Sequence, residues 1–145
     1  MLTTMPSDAH ALASELRPAV IMAARRIRAE RGSADLSDPQ YSVLVHLEKR
    51  GPLTPGQLAD LERIQPPSMT RTVNCLAEAG LVAKDAHPTD GRVVVVSLTV
   101  AGRTEVTETR RKRSQWLEAQ LEAMTSDERR RLDEAIALLR RIAEA

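Results

Sequence analysis

Pro66-Pro67-Ser68-Met69-Thr70-Arg71-Thr72-Val73-Asn74-Cys75-Leu76-Ala77-Glu78-Ala79-Gly80-Leu81 is the stretch that decides the fold. It opens on prolines, which a first helical turn tolerates because its amides have no intrahelical partner, and it closes on glycine, the usual residue just past a helix end. The period then changes. Two short apolar runs, Leu81-Val82-Ala83 and Val93-Val94-Val95-Val96, flank a polar segment holding Pro88, Asp90-Gly91 and Arg92. Apolar residues at helical spacing followed by short β-branched runs around a turn predict a helix leading directly into a β-hairpin with a basic tip.

At about 100° per residue, Met69, Val73 and Leu76 share one face of this helix. Pro67, Ser68, Arg71, Asn74, Cys75 and Glu78 lie around the opposite side, with Thr70 at the border. If the apolar face packs on the body, Ser68, Arg71 and Asn74 point outward. Arginine can bond guanine O6 and N7 as a fork, asparagine can pair with adenine, and serine or threonine can hold phosphate. In the hairpin, Asp90-Gly91 supplies a turn, and Arg92 extends from it toward where a narrow, electronegative minor groove would lie. Asp90 either braces the turn or orients that guanidinium. Taken alone, the helix equally describes an ordinary amphipathic surface helix, and Arg92 a solvated loop charge. Their succession favours DNA, in the winged-helix arrangement.

Working outward, Thr54-Pro55-Gly56-Gln57 opens a short helix with Leu58, Ala59 and Leu61 inward, and Glu62-Arg63-Ile64-Gln65 forms a tight connection to Pro66, which is helix-turn-helix spacing. Before it, Ser37-Asp38-Pro39-Gln40 is a capping box that starts a helix carrying Tyr41, Leu44, Val45 and Leu47, stopped by Gly51-Pro52. A first helix is expected from Ser7 or Asp8 to Arg31, with Leu12, Leu16, Val20, Ala24 and Ile27 in register; Pro18 either kinks it or marks its true start. After the hairpin, Thr99 caps a long helix to about Met124 whose middle is the basic run Arg110-Arg111-Lys112-Arg113. Thr125-Ser126-Asp127-Glu128 caps the last helix, with Leu132, Ile136, Leu139 and Ile142 in register.

The 145 residues suit one domain with a real core. Net charge is only +1, so a nucleic-acid surface must come from charge placement. Residues 63–113 hold nine Lys/Arg against five Asp/Glu, a local excess of four. One cysteine, Cys75, excludes an internal disulfide and a multi-cysteine metal site. No apolar run reaches the roughly 20 residues of a membrane span, and Met1–Asp8 lack the pattern of a signal peptide, so a cytoplasmic protein is expected. With one Tyr, one Trp and no Phe, the core must be built from Leu, Ile, Val, Met and Ala.

Leu76-Ala77-Glu78-Ala79-Gly80-Leu81-Val82, then Asp90-Gly91-Arg92, then Val96-Ser97-Leu98-Thr99-Val100-Ala101-Gly102-Arg103 together resemble the MarR family of bacterial winged helix-turn-helix transcriptional regulators. The resemblance spans nearly the whole chain as a single MarR-type domain, 1–145: a mainly α fold with a small β-hairpin wing, the winged helix at about 37–98, and dimerisation helices at about 8–31 and 99–144. It implies a homodimer on a palindromic double-stranded operator, with the family's helix contacts carried by Pro67, Ser68, Thr70, Arg71 and Asn74 and its wing contacts by Asp90 and Arg92. Independently, the stripes Leu12–Ile27, Val106–Leu121 and Leu132–Ile142 exceed what one small winged helix needs, which supports an intermolecular bundle.

The expected function is a repressor, not an enzyme, with no cofactor and no metal, whose DNA affinity falls when a small molecule wedges between the dimer helices and the winged helix. Met22, Tyr41, Leu44 and Val106 are the candidate pocket residues. A ligand-independent regulator is the alternative, since few aromatic rings are available to grip an effector; a winged-helix protein-interaction module is a further one. Cys75 falls where the family favours a polar or basic residue, and a small residue tolerated beside DNA is a better reading than a redox sensor. The run Arg110–Arg113 is either a phosphate contact or a solvated face, the latter preferred. His10, His46 and His87 are far apart, and Asp85-x-His87-x-x-Asp90 on a wing tip is a poor cation site.

Overall fold

The computed structural model describes residues 8–145. The elements are α1 (Ala9–Arg28), α2 (Asp38–Arg50), α3 (Pro55–Glu62), α4 (Pro66–Glu78), β1 (Val82–Ala86), β2 (Val94–Leu98), α5 (Val100–Glu122) and α6 (Ser126–Ala143). The fold is mainly helical with one antiparallel hairpin, in the predicted order. Ser37/Gln40, Thr54/Gln57 and Thr125/Glu128 each close a reciprocal capping box at the start of α2, α3 and α6. Such caps contribute about 1 kcal/mol each by satisfying amides that the helix cannot.

The start of α1 is the Asp8 cap, and Pro18 lies inside the helix, so the proline is not the beginning. Its end is Arg28, not Arg31. The next residues bind α5 instead: the Gly32 amide donates to Thr109 Oγ1 (3.2 Å) and the Ala34 amide to Glu105 Oε1 (3.2 Å). Thr109 and Glu105 are both buried, so these tertiary bonds replace helical ones. Ser33 Oγ donates to Glu108 Oε2 at 3.1 Å, and that hydrogen bond, helped by Lys112, holds the Glu108 carboxyl below its ordinary range. A Cβ on Gly32 would run into the Glu105 carboxylate and the Thr109 hydroxyl. Gly32→Ala is therefore expected to lower stability by about 1–3 kcal/mol, read as a reduced urea midpoint.

The core is aliphatic and sits under the hairpin, between α2, α3, α4 and α5. Leu44, Leu58, Met69, Leu76, Val43, Val73, Val96 and Val106 are its largest fully buried side chains. The hairpin pairs Val82 with Leu98 through Ala86 with Val94. It is longer than the apolar runs because ladder pairing also recruits Lys84, Asp85 and Ser97. Leu53, in the connection between α2 and α3, adds a third strand-like edge, exchanging backbone bonds with Val96 at 3.0 and 2.7 Å.

The terminal helices differ from the rest. Neither α1 nor α6 contains a buried residue, and α1 exposes Leu12, Val20, Ile21 and Met22 while α6 exposes Leu132, Ile136, Leu138, Leu139 and Ile142. No helix is long and apolar enough to cross a membrane among the described residues.

Candidate nucleic-acid interface

Helix α4 is held by its apolar stripe: Met69, Val73 and Leu76 are buried, as the periodicity requires. It is entered through Arg63, which takes a left-handed conformation (φ 54°, ψ 44°) and turns the chain between α3 and α4. The α4 N-terminus offers little to a phosphate through its backbone. Pro66 and Pro67 carry no N–H, and the Ser68 amide donates to the Gln65 carbonyl at 3.0 Å. Any anion at this end must be met by side chains.

Those side chains form a row. Pro67, Thr70, Arg71 and Asn74 are exposed and Ser68 is half-buried. Arg71 Nη2 donates to Ser68 Oγ (3.3 Å), one turn earlier on the same face, which leaves most of the guanidinium open. The Thr70 hydroxyl donates back to the Pro66 carbonyl (3.1 Å), keeping its oxygen as an acceptor only. Lys84, on β1, donates from Nζ to Asn74 Oδ1 at 2.7 Å. Lys84 joins this face only because β1 packs on α4; its strand position carries no such signal.

The wing tip is a loop over residues 87–93, closed by the His87 amide donating to the Val93 carbonyl (2.8 Å). Asp90 and Gly91 lie in a reverse turn whose closing bond runs from the Val93 amide to the Asp90 carbonyl (3.0 Å). Asp90 Oδ1 accepts from the Arg92 amide at 3.1 Å, so the carboxylate braces the turn. His87 Nδ1 accepts from the Thr89 amide (3.2 Å), a second brace. The Arg92 guanidinium has no hydrogen-bond or ion-pair partner among the described residues.

The other sequence candidates are placed elsewhere. Two members of the basic run of α5 reach other helices, while Arg111 is exposed, as a solvated face requires, and Lys112 pairs with Glu108 on the same helix at 3.5 Å. Arg110 pairs with Glu48 of α2 at 2.8 Å, and that hydrogen bond raises its pKa. Arg113 donates to the Glu30 and Arg28 carbonyls (3.0 and 3.4 Å) and lies 4.5 Å from the centre of the Tyr41 ring. These arginines join α5 to α1 and α2. Cys75 is exposed on α4. His46 Nε2 lies 2.8 Å from Glu62 Oε1, linking α2 to α3, and the described residues hold no cluster of three or more metal-ligating side chains.

The four pocket candidates do not converge. Leu44 and Val106 are fully buried in the core, whereas Met22 is 67% exposed on α1. Tyr41 borders a cavity of about 370 Å³, together with Arg28, Asp38, Ser42, Glu62 and Arg113. Helical spacing identified apolar positions but not which of them the core had already consumed.

The MarR family profile matches residues 36–94, from the loop before α2 into β2. An HTH-type transcriptional regulator of Mycobacterium leprae (strain TN) is 42% identical over 135 residues, covering 93% of this chain and 94% of that protein. An HTH-type regulator of Mycobacterium tuberculosis (strain CDC 1551 / Oshkosh) matches with the same identity and coverage. Among solved structures, a transcriptional regulator protein of Pseudomonas aeruginosa PA01 superposes with a TM-score of 0.83 at 30% identity, over 97% of this chain and 99% of that one. The PcaV transcriptional regulator of Streptomyces coelicolor, solved with its natural ligand, shares the fold at a TM-score of 0.59 and 22% identity, over 100% and 98% of the two chains. With a helix-turn-helix, a braced basic wing and relatives of near-equal length, the chain belongs to the MarR family and is a DNA-binding transcriptional regulator, not an enzyme.

Proposed function

We propose that the protein is a homodimeric repressor that binds a palindromic double-stranded operator in the cytoplasm and is released by a small-molecule effector. The observation that carries this reading is the juxtaposition of an outward row on α4, Ser68, Arg71 and Asn74, with a wing whose Arg92 guanidinium is unengaged. In the proposed complex Arg71 and Asn74 face base edges of the major groove, Ser68 and Thr70 face phosphate with Pro67 beside the backbone, and Arg92 enters the minor groove with Asp90 holding its loop. The winged helix spans about 37–98, and helices at about 8–31 and 99–144 form the dimer. The unburied apolar faces of α1 and α6 support that assignment. Two such units place their α4 helices about 34–36 Å apart, one turn of duplex.

The effector is proposed to enter beside Tyr41, where Arg113 of α5 lies over the ring. Displacing Arg113 there would loosen the joint between α5, α2 and the end of α1, altering the spacing of the two α4 helices. Leu44, Val106 and Met22 join such a site only if these helices separate. The complete burial of Leu44 and Val106 favours a second reading, a regulator that needs no ligand. A screen for small molecules that release bound operator separates the two.

The DNA reading is tested by gel-shift titration against the DNA upstream of the protein's own gene. Arg71→Ala and Arg92→Ala are each expected to weaken binding roughly tenfold or more, with the loss at Arg71 dependent on sequence. Undiminished affinity in both variants would overturn the assignment of the reading head.

A further inference from the structure

We infer that Lys84 is a specificity-determining residue, which biases Asn74 toward donating in the groove and so turns this point of the interface from adenine toward guanine. The inference rests on the proposed DNA-reading face and deepens it.

The geometry is simple. Lys84 Nζ lies 2.7 Å from the side-chain oxygen of Asn74, both side chains being exposed. An ammonium has three donors and no acceptor, so the atom of Asn74 that faces it must be the carbonyl oxygen. The amide nitrogen is then the atom left pointing outward. Packing keeps the pair together: Asn74 stands one turn beyond Arg71 on α4, Lys84 stands at the middle of β1 opposite Val96, and the buried Val82 and Val96 anchor the strand beneath.

This pairing changes what the asparagine can read. Bidentate recognition of adenine needs both ends of the amide: the oxygen accepts from N6–H while the nitrogen donates to N7. With Lys84 on Oδ1, one lone pair of that oxygen remains, but a base N–H approaching it would sit beside the ammonium, whereas Asn74 Nδ2 and the two unused ammonium protons are free to donate. A donor-rich, positively charged edge matches guanine, whose N7 and O6 are both acceptors, and disfavours adenine, whose N6–H would meet the ammonium. Arg71 beside it is donor-only. The row from Arg71 to the Asn74–Lys84 pair therefore favours purines that present acceptors.

The test is selection from a pool of randomised DNA duplexes with the full-length protein and three variants. The base position read by Asn74 is the one that becomes degenerate in Asn74→Ala. The wild type is expected to select guanine at that position, and Lys84→Met, which keeps a straight side chain of similar bulk on an exposed strand position, is expected to raise adenine relative to guanine there by roughly tenfold. Adenine already preferred by the wild type would overturn the inference. So would a Lys84→Met variant that binds all sequences more weakly with its preference unchanged, the behaviour of a plain phosphate contact. Arg71→Ala is the control for the underlying reading. If the wild type selects no consensus and Arg71→Ala changes nothing, the DNA-reading face itself fails; if Arg71→Ala degrades the consensus while Lys84→Met leaves it intact, only the role of Lys84 fails.

Discussion

Replacing Leu139 and Ile142 of α6 by aspartate is expected to yield a folded monomer whose operator affinity is lower by about 10²–10⁴-fold. The two side chains are 41% and 62% exposed, and with Leu16, Val20 and Ile21 of α1 they line an apolar cavity of about 540 Å³. Nothing among the described residues fills it. An 18-residue helix without a buried residue gains little from intrinsic propensity, so α6 needs another apolar surface to repay its ordering. In the proposed dimer those faces would close on each other, and two carboxylates placed there would have to be desolvated without partners. The winged-helix core lies elsewhere, so its thermal transition should survive. Loss of affinity then follows from losing the second reading head, because binding of the second half-site is no longer intramolecular. Sedimentation velocity measures the mass and gel shift the affinity. A double variant that remains a dimer with native affinity would sink the assignment of α6 to the interface.

Gly102→Ala is expected to cost about 3 kcal/mol and to depress the melting temperature by roughly 10 °C. The reason lies at the joint where α4, the wing and α5 meet. Gly80 leaves α4 with a φ of +77°. Thr99 Oγ1 donates to the Gly80 carbonyl (2.7 Å), and the Gly102 amide donates in turn to Thr99 Oγ1 (3.0 Å). The Thr99 amide donates to the Leu81 carbonyl at 3.2 Å. This draws the first turn of α5 so close to Leu81 that a Cβ on Gly102 would occupy the space of that carbonyl and of the Leu98 side chain. A backbone group cannot rotate aside as a side chain can. Relief requires α5 to back away from the base of the hairpin, breaking the Thr99 bonds and uncovering Leu81 and Val82. Differential scanning calorimetry reads the shift. A melting temperature unchanged within a degree or two would show that the joint is looser than its bonds imply.

That joint also explains one resemblance physically. In Leu98-Thr99-Val100-Ala101-Gly102, the threonine caps α5 and clamps the end of α4, and the glycine is the only residue that fits under it. The motif records a close approach of backbone to backbone.

The sequence by itself determined the order and boundaries of most elements, the apolar face of α4 and the outward row opposite. Those properties are local: capping boxes, prolines at helix starts, glycine exits and the change from helical to strand period act within a few residues. It also told of Asp90 near the wing turn, leaving open whether it braces the turn or orients Arg92, and of more apolar helical surface than one small winged helix needs. Only the tertiary structure decided the rest. α1 stops at Arg28 because Glu105 and Thr109, more than seventy residues away, take the amides that would have continued it. Arg110 and Arg113 became struts because Glu48 and Tyr41 lie opposite them, and Leu44 and Val106 are fully buried because the core closed over them. Lys84 reached Asn74 across a turn of chain that no period encodes. Each of these depends on which residues meet through space, and spacing along one element cannot supply the partner on another.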